Sequence, residues 1–320
     1  MSKSSLAIGA TVDIYDIERV LYAQESIKDQ TSQAALLRVY KKMLATGPGR
    51  FVTKPASCDV LDELGLACPN FKSVVEDLAN YIELALFGKS GFNVMPVLLA
   101  GEPGVGKTHF AKGLAGALGV PYHFVSMGTL SANWVLSGSA PTWNGARHGK
   151  IAQALIDNDF ANPLFLLDEI DKTGGDSRHD PFGALLQLME RETSRHFKDE
   201  FLDVEMDTSA ILWVATANNV DVIPDYILSR MAVYEVPKPT SEQGRVIASN
   251  VYAALLAENG WPFTPVLADD VLERLATVAP REMKKGLLDA LAHARRAGRD
   301  ALQAGDVNVA HAKKSRHIGF

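Results

Sequence analysis

Gly101-Glu-Pro-Gly-Val-Gly-Lys-Thr108 is the stretch of sequence that decides the fold. It matches the pattern G-x-x-x-x-G-K-[ST], in which backbone N–H groups cradle phosphate oxygens. The apolar segment Val94–Ala100 precedes it and predicts a strand, and Thr108–Leu118 follows it with the pattern of a helix. A strand, a glycine loop and a helix in this order place a phosphate at the positive end of the helix. This context makes a chance glycine turn a poor alternative.

Each residue type in the loop suits phosphate binding. Gly104 and Gly106 let the backbone close around the phosphate oxygens. Lys107 can reach the β- and γ-phosphates, and the hydroxyl of Thr108 can ligate Mg²⁺. We therefore predict an ATP and Mg²⁺ site whose nucleotide contacts are Gly101, Glu102, Pro103, Gly104, Val105, Gly106, Lys107, Thr108 and His109.

Two later apolar segments end in polar residues. Pro163–Leu167 is followed by Asp168 and Glu169, and a second apolar segment ends at Asn218. Open α/β sheets bind ligands at the carboxyl ends of their strands, so we expect these side chains to serve the same phosphate. Asp168 would hold Mg²⁺, Glu169 would act as general base on the attacking water, and Asn218 would position that water. Exposed acids that open a loop, and an asparagine that serves a turn, are the alternatives.

The chain has 320 residues, of which 47% are hydrophobic and 22% charged, as in a globular protein with about two domains. Short apolar segments alternate with helical ones, which predicts an α/β fold with a parallel sheet. The predicted strands are Val94–Ala100, Tyr122–Ser126, Pro163–Leu167, Ala210–Ala215 and Ala232–Val236. We predict an N-terminal helical segment over residues 1–59, a large α/β domain over 60–238 and a small all-helical domain over 239–320. The last opens with a capping box at Thr240–Gln243.

Composition excludes several classes of protein. A net charge of -6 is not that of a general nucleic-acid coat. Cys58 and Cys68 have no second pair of cysteines, so they predict neither a zinc site nor a disulfide framework. No apolar run reaches the length of a membrane span, and the N-terminus lacks the apolar core of a signal peptide. We therefore expect a cytoplasmic protein that does not bind a membrane.

Together these motifs resemble the AAA+ superfamily and, within it, the ATPase module of Lon proteases. The resemblance covers about residues 60–300. Besides the phosphate loop, it rests on Leu166–Lys172, Ala215–Asn218, Leu228–Met231 and Thr142–Lys150. It implies an AAA+ P-loop NTPase domain with a parallel sheet, followed by a small all-helical lid domain.

The resemblance also implies roles for three more residues. Arg230 would be an arginine finger that reaches the γ-phosphate bound by a neighbouring copy, so that hydrolysis requires a homo-oligomeric ring, by family expectation a hexamer. Arg281 would contact the nucleotide from the lid. Trp143, followed by Asn144, would be the pore-loop aromatic residue that grips a polypeptide. The alternatives are a surface arginine near Asp225, an ordinary first-turn arginine, and a tryptophan packed under its loop.

The sequence also departs from the Lon pattern. It stops at Phe320, where the predicted lid ends, so we do not expect the Ser–Lys protease domain of that family or its proteolytic activity. Asn144 stands where an aliphatic residue is usual, and Ser137–Pro141 lacks basic residues. A second loop, Gly174–His179, would also face the pore, although a solvated loop explains its glycines nearly as well.

The leading hypothesis is a ring-forming ATPase that remodels, unfolds or threads a protein substrate. The ATPase partner of a separately encoded protease is equally compatible with the sequence. A nucleic-acid-linked ATPase of clamp-loader or transposition type is a further alternative, because residues 281–316 contain 9 basic and 4 acidic residues. No recognisable DNA-binding motif follows, however. A nucleotide-dependent scaffold that switches partners is the fourth hypothesis.

Overall fold

The computed structural model describes residues 7–28, 33–88, 94–129, 134–143, 145–173 and 181–308. The chain divides into two compact units. The first comprises Met1–Val60, Asp77–Ala100 and Ala111–Tyr234, and the second Leu61–Glu76, Gly101–Phe110 and Glu235–Phe320. The domain boundaries expected after residues 59 and 238 stay predictions.

The first unit is built around a five-stranded sheet. Over the described residues, the strands of the chain are β1 Ala7–Asp13, β2 Gly49–Lys54, β3 Val97–Ala100, β4 Tyr122–Ser126, β5 Leu164–Asp168, β6 Phe197–Lys198, β7 Glu205–Met206, β8 Leu212–Ala217 and β9 Ala232–Glu235. The sheet has the order β4-β5-β8-β3-β9, and its pairs β4–β5, β5–β8 and β8–β3 are parallel. Residues of β3 and β8 are buried throughout, as expected of parallel strands covered on both faces. This confirms the predicted α/β class, and each strand of the sheet overlaps one predicted from the sequence.

The described helices lie between and after these strands. They are α1 Ile17–Glu25, α2 Ala34–Thr46, α3 Asp62–Ala67, α4 Lys72–Phe87, α5 Lys107–Leu118, α6 Trp134–Ser137, α7 Lys150–Asp157, α8 Pro181–Met189, α9 Arg191–Ser194, α10 Asp225–Leu228, α11 Ser241–Asn259, α12 Asp269–Ala276 and α13 Pro280–Arg296. Helix α7 contributes Ile151 and Leu155 to the same hydrophobic core as Phe165 and Leu167 of β5. Helix α7 and the sheet therefore share one hydrophobic core, and this packing holds the strands in position.

The N-terminal segment contains two strands, so the expectation of a purely helical segment was wrong. Strands β1 and β2 pair antiparallel, with Val12 opposite Arg50 and Thr11 opposite Phe51. Gly47 ends α2 with a φ of 70°, a conformation that favours glycine. The aromatic and β-branched residues that follow it prefer an extended backbone, but their strand character depends on a partner that is distant in sequence.

The N-terminal segment is part of the core of the first unit. Tyr40 and Met43 of α2 are buried in the same cluster as the residues of the sheet. The hydroxyl of Tyr40 donates a hydrogen bond to the carbonyl oxygen of Leu202 at 2.5 Å. Burial of this phenol raises the pKa of Tyr40 to about 12. The segment thus packs on the sheet and does not form a separate tail.

The second unit has its own helical core, formed by α11, α12 and α13. Tyr252, Leu275 and Leu287 are among its fully buried side chains. The capping box that opens α11 is present as predicted. The Thr240 N–H donates to the side chain of Gln243 at 2.9 Å, and the Gln243 N–H donates to the Thr240 hydroxyl at 3.2 Å. This satisfies two N–H groups that a helix start leaves unbonded.

Cys58 and Cys68 are free thiols, and burial raises the pKa of Cys68 to about 11. In the part of the chain that the structure describes, no three His, Cys, Asp or Glu side chains are grouped as a metal site. None of the helices in the described ranges is both long and apolar enough to cross a membrane.

Candidate functional site

The phosphate loop has the backbone conformation that its motif requires. Gly104 has a φ of 88° and Gly106 a φ of 105°, both in the left-handed region that favours glycine. The buried side chain of Asn70 donates to the carbonyl oxygens of Val105 and Pro237, each at 3.2 Å. Asn70 therefore ties the back of the loop to the segment that follows β9. The sequence analysis missed this residue, because nothing local marks an asparagine that bonds to a loop 35 residues later.

Lys107 is the buried cation of the loop, with 8% of its surface exposed. Its ammonium group donates to the carbonyl oxygens of Gly101 at 2.6 Å and of Glu102 at 3.1 Å. A Cβ atom on Gly101 would lie 2.5 Å from the carbonyl oxygen of Val236, so only glycine fits there. The Glu102 carboxylate pairs with Lys238 at 2.7 Å. The close backbone approach keeps the loop in place against its own unit.

These features fit the phosphates of ATP. Two left-handed glycines, a buried ammonium group and the N-terminus of the 12-residue helix α5 are the elements of an anion site. Thr108 and His109 lie in the first turn of α5 and are exposed, as is Pro103 in the loop. The Thr108 hydroxyl is therefore on a surface where a metal-bound phosphate can approach it. Val105, by contrast, is buried beneath the loop.

Arg281 lies beside the phosphate loop, within the same unit. Its backbone N–H donates to the carbonyl oxygen of Gly104 at 3.4 Å, and a Cβ atom on Gly104 would lie 3.6 Å from that of Arg281. The loop is also anchored from below, where the ring of Phe71 stacks on that of Phe110 with centroids 4.3 Å apart. The first turn of α13 therefore reaches the loop, and the nucleotide contact of Arg281 stays a prediction.

The predicted Mg²⁺ ligand Asp168 and the predicted general base Glu169 both bond to one hydroxyl group in the first unit. Asp168 is the last residue of β5, and Glu169 follows it. The hydroxyl of Thr216, in β8, donates to Asp168 Oδ1 at 2.7 Å and accepts from the backbone N–H of Glu169 at 2.9 Å. Thr216 is 1% exposed. Sequence reasoning overlooked it, although a hydroxyl within a buried apolar strand was a usable signal.

Glu169 has a left-handed backbone, with φ 57° and ψ 52°. Such a conformation is uncommon for a residue other than glycine and costs about 1–3 kcal/mol, and it is concentrated at functional sites. Its carboxylate contacts the ammonium group of Lys172 at 2.5 Å, and this hydrogen bond raises the pKa of Lys172. Glu169 follows β5 directly, so this strained residue lies at the carboxyl edge of the sheet.

Asn218 is positioned by a second acid. Asp171 Oδ2 accepts hydrogen bonds from the backbone N–H groups of Asn218 at 3.1 Å and Asn219 at 3.2 Å. Strands β5 and β8 are parallel neighbours, with Leu167 opposite Ala215. The residues that follow them therefore share one edge of the sheet. The end of β3, which pairs parallel with β8, lies at the same edge.

Arg230 follows α10 and is held by two groups of its own unit. Its guanidinium donates to the carbonyl oxygen of Tyr226 at 2.6 Å and pairs with the Glu190 carboxylate at 3.5 Å. Its Nε atom is buried and has no hydrogen-bond partner among the described residues. The ion-pair partner is thus Glu190 and not Asp225, which the surface-arginine alternative invoked.

Trp143 is 60% exposed on a loop between α6 and α7. Its backbone N–H donates to the carbonyl oxygen of Ala140 at 3.0 Å, and its own carbonyl accepts from Ala146 at 3.1 Å. The indole therefore does not pack under its loop, which was the alternative considered. Asn144 and the second predicted pore loop, Gly174–His179, lie outside the described residues.

Residues 97–237 match the protein family described as "ATPase family associated with various cellular activities (AAA)". The Lon protease of Mesomycoplasma hyopneumoniae is 39% identical over 188 residues, which are 57% of this chain and 22% of that protein. Lon protease 1 of Thermus thermophilus is 34% identical over 238 residues, 72% of this chain and 30% of that protein. This chain thus spans less than a third of the length of these two relatives.

A solved structure of the RuvB Holliday junction branch migration motor of Thermotoga maritima has a similar fold. The TM-score is 0.51 at 18% identity, and the match covers 74% of this chain and 66% of that one. At this identity the likeness concerns the fold alone. It confirms the α/β sheet with a helical C-terminal part.

Proposed function

We propose that this chain hydrolyses ATP as a ring-forming motor that remodels, unfolds or threads a protein substrate, because residues 97–237 match the AAA ATPase family. The observation that carries the choice of substrate is the exposed indole of Trp143. A flat apolar side chain on a loop contacts many polypeptide sequences without reading any of them. The chain resembles the Lon proteases only over their ATPase portion, so this likeness does not identify the substrate.

The loop residues bind and orient the phosphates of ATP. The N–H groups around Gly104 and Gly106 donate to phosphate oxygens, and the ammonium group of Lys107 moves from the loop carbonyls to the β- and γ-phosphates. Thr108 and Asp168 would ligate Mg²⁺. When bound, this ion neutralises charge on the phosphate oxygens. The oxygen ligands that Mg²⁺ prefers are present in both side chains.

Glu169 takes the proton of the attacking water. The water oxygen forms a bond to the γ-phosphorus while the bond from that phosphorus to the β–γ bridging oxygen breaks, which yields ADP and phosphate. The proton lost by the water passes to the Glu169 carboxylate, and the Asn218 amide holds the water in line. Thr216 supports this role because it fixes the backbone of Glu169 and the carboxylate of Asp168 with one hydroxyl.

Assembly into a ring explains the position of Arg230. Within its own unit the guanidinium contacts the carbonyl oxygen of Tyr226 and the exposed Glu190 carboxylate, while its buried Nε atom has no hydrogen-bond partner among the described residues. A second copy of this chain would bring its bound γ-phosphate to that guanidinium, so that hydrolysis occurs only in the assembly. A hexamer is the ring that the resemblance implies.

The number of basic residues in the C-terminal stretch suggested a nucleic-acid function, but the contacts of these residues give that alternative less support. In its described part, Lys284 faces Glu258 at 3.5 Å and Arg299 makes a paired contact with Asp306 at 2.7 Å. Arg281 lies beside the phosphate loop. Lys284 and Arg299 therefore have acidic partners within the second unit, and we keep nucleic-acid stimulation as an outcome of the test.

The test compares ATP turnover of the purified chain alone, with an unfolded polypeptide and with DNA. The proposal predicts turnover that rises with the polypeptide and not with DNA. Stimulation by DNA alone would replace it with the nucleic-acid function. Turnover that responds to neither would point to a dedicated partner, such as a separately encoded protease or a scaffold.

A further inference from the structure

The loop that carries Trp143 has a closed base. It leaves the core at Gly138, which has a φ of 79°, and returns at Gly149. A Cβ atom on Gly149 would overlap the carbonyl group of Leu136 and lie 2.5 Å from the backbone nitrogen of Gly138. The two ends of the loop therefore cross backbone to backbone, with no room for a side chain between them.

A buried carboxylate sits at this crossing. Asp199 is 0% exposed. Its Oδ2 atom accepts from the backbone N–H of Gly149 at 2.7 Å, and its Oδ1 atom accepts from those of Phe201 at 2.9 Å and Leu202 at 3.1 Å. A Cβ atom on Gly138 would lie 2.5 Å from Oδ1. The Asp199 carboxylate thus bonds the Gly149 end of the Trp143 loop to the segment between β6 and β7, and it lies closely against Gly138 at the other end.

Neighbouring hydrogen bonds extend this connection on both sides. The Glu200 N–H donates to the carbonyl oxygen of Ser137 at 2.7 Å, just before the loop begins. Above the crossing, the Ser139 N–H donates to the carbonyl oxygen of Arg147 at 3.1 Å, and the Arg147 N–H donates to the Ser139 hydroxyl at 3.3 Å. The base of the loop is therefore closed by several hydrogen bonds, and the buried Asp199 carboxylate lies among them.

The cost of burying this carboxylate shows that the contact is not incidental. Burial raises the pKa of Asp199 to about 6, while the N–H donors of Gly149, Leu202 and Phe201 and the nearby His148 act in the opposite direction. A buried carboxylate is retained only when hydrogen bonds replace the water that it loses. Here three backbone N–H groups do so, and one of them belongs to the loop.

We propose that Asp199 is the positioning residue of the Trp143 loop. Its carboxylate holds the ends of the loop together and thereby fixes where the indole is presented. The role of the indole itself, contact with a polypeptide, rests on the proposed function. The closure of the loop base by Asp199 does not, and the two can be tested separately.

The variant Asp199→Asn separates the two halves of the contact. Its amide oxygen can still accept from Phe201 and Leu202, as asparagine does in turns of this kind. Its NH₂ group then faces the N–H of Gly149, donor against donor, so this bond is lost. Asp203→Asn is the matched control, because Asp203 lies in the same segment with its side chain 77% exposed.

Two readouts are expected to change in Asp199→Asn and not in the control. Hydrogen exchange at the Gly149 amide should become at least about tenfold faster, because this amide loses a hydrogen bond to a charged group. The ratio of polypeptide-stimulated to basal ATP turnover should fall towards that of Trp143→Ala. Unchanged exchange at Gly149, or equal losses of basal and stimulated turnover, would overturn the proposal.

The unmodified protein gives a test that does not depend on whether the variant folds. The Gly149 amide should exchange as slowly as those of Phe201 and Leu202, and far more slowly than that of the exposed Gly145. Exchange at Gly149 as fast as at Gly145 would refute the closure by Asp199. If Trp143→Ala leaves polypeptide stimulation intact, the proposed function fails, whereas this exchange measurement still decides the role of Asp199.

Discussion

Replacing Glu169 with glutamine should leave ATP bound but stop its hydrolysis. Glutamine has the same length and keeps a hydrogen-bonding oxygen, but it cannot take a proton from water. The backbone of residue 169 stays fixed, because its N–H bonds to Thr216 whatever the side chain. The phosphate loop belongs to the other unit and keeps its own anchors, Asn70 and the Phe71–Phe110 stack.

The size of the effect follows from the contacts of this side chain. General base catalysis contributes about 10²–10⁴-fold, which is about 3–5 kcal/mol in the barrier. The stability cost is small, because the ion pair of Glu169 with Lys172 is 38% and 52% exposed. Such a pair contributes about 0–1 kcal/mol. The left-handed backbone at residue 169 costs the same free energy with glutamine as with glutamate, so it does not change the stability of the variant.

Three measurements on Glu169→Gln decide the matter: phosphate release, ATP affinity by titration calorimetry, and thermal unfolding. Phosphate release should fall at least about a hundredfold, with affinity and melting temperature nearly unchanged. Glu192→Gln, at an exposed glutamate of the same unit, is the control and should behave like the parent. Turnover within tenfold of the parent, at normal affinity, would refute the assignment of Glu169 as the base.

Three further perturbations test other parts of the account. Arg230→Ala should abolish turnover without weakening ATP binding. Mixing the Arg230→Ala protein with the Glu169→Gln protein should restore some activity. Mixed rings without activity would contradict a role of Arg230 in trans. Tyr40→Phe removes the hydrogen bond to Leu202 and should lower the free energy of unfolding by about 1–2 kcal/mol, measured by urea denaturation. An unchanged midpoint would show that this hydrogen bond does not stabilise the fold. Burial raises the pKa of Asp199 to about 6 from 3.8, so between those pH values the folded state holds a proton that the unfolded chain has lost, and the contribution of this group to stability falls as pH rises. The melting temperature of the parent should therefore decline relative to that of Asp199→Asn over this range, and parallel profiles would contradict the reasoning.

The sheet could be predicted from the sequence because its strands carry a local signal. Buried parallel strands are continuous apolar runs, and β4 has the predicted bounds, Tyr122–Ser126. The phosphate loop and the capping box of α11 are equally local, since each residue acts on neighbours within a few positions. Strands β1 and β2 were missed because their pairing joins residues about 40 positions apart.

The supporting residues of the site could not be predicted for the same reason. Asp168 and Glu169 stand out because carboxylates are rare at the end of an apolar strand, but Thr216 meets them only through the register of β5 and β8. Asp171 reaches Asn218 across 47 positions, and Asp199 reaches Gly149 across 50. Contacts of this kind depend on the assembled fold, and the sequence shows only that a polar residue is present.

We propose that the exposed indole of Trp143 couples ATP hydrolysis to a polypeptide. Polypeptide-stimulated ATP turnover should be measured for the parent, for Trp143→Ala and for Trp261→Ala, whose tryptophan is 36% exposed in the other unit. We expect Trp143→Ala to lose the stimulation and to keep basal turnover within a few-fold, while Trp261→Ala responds like the parent. Full stimulation of Trp143→Ala would refute a role of this indole in coupling.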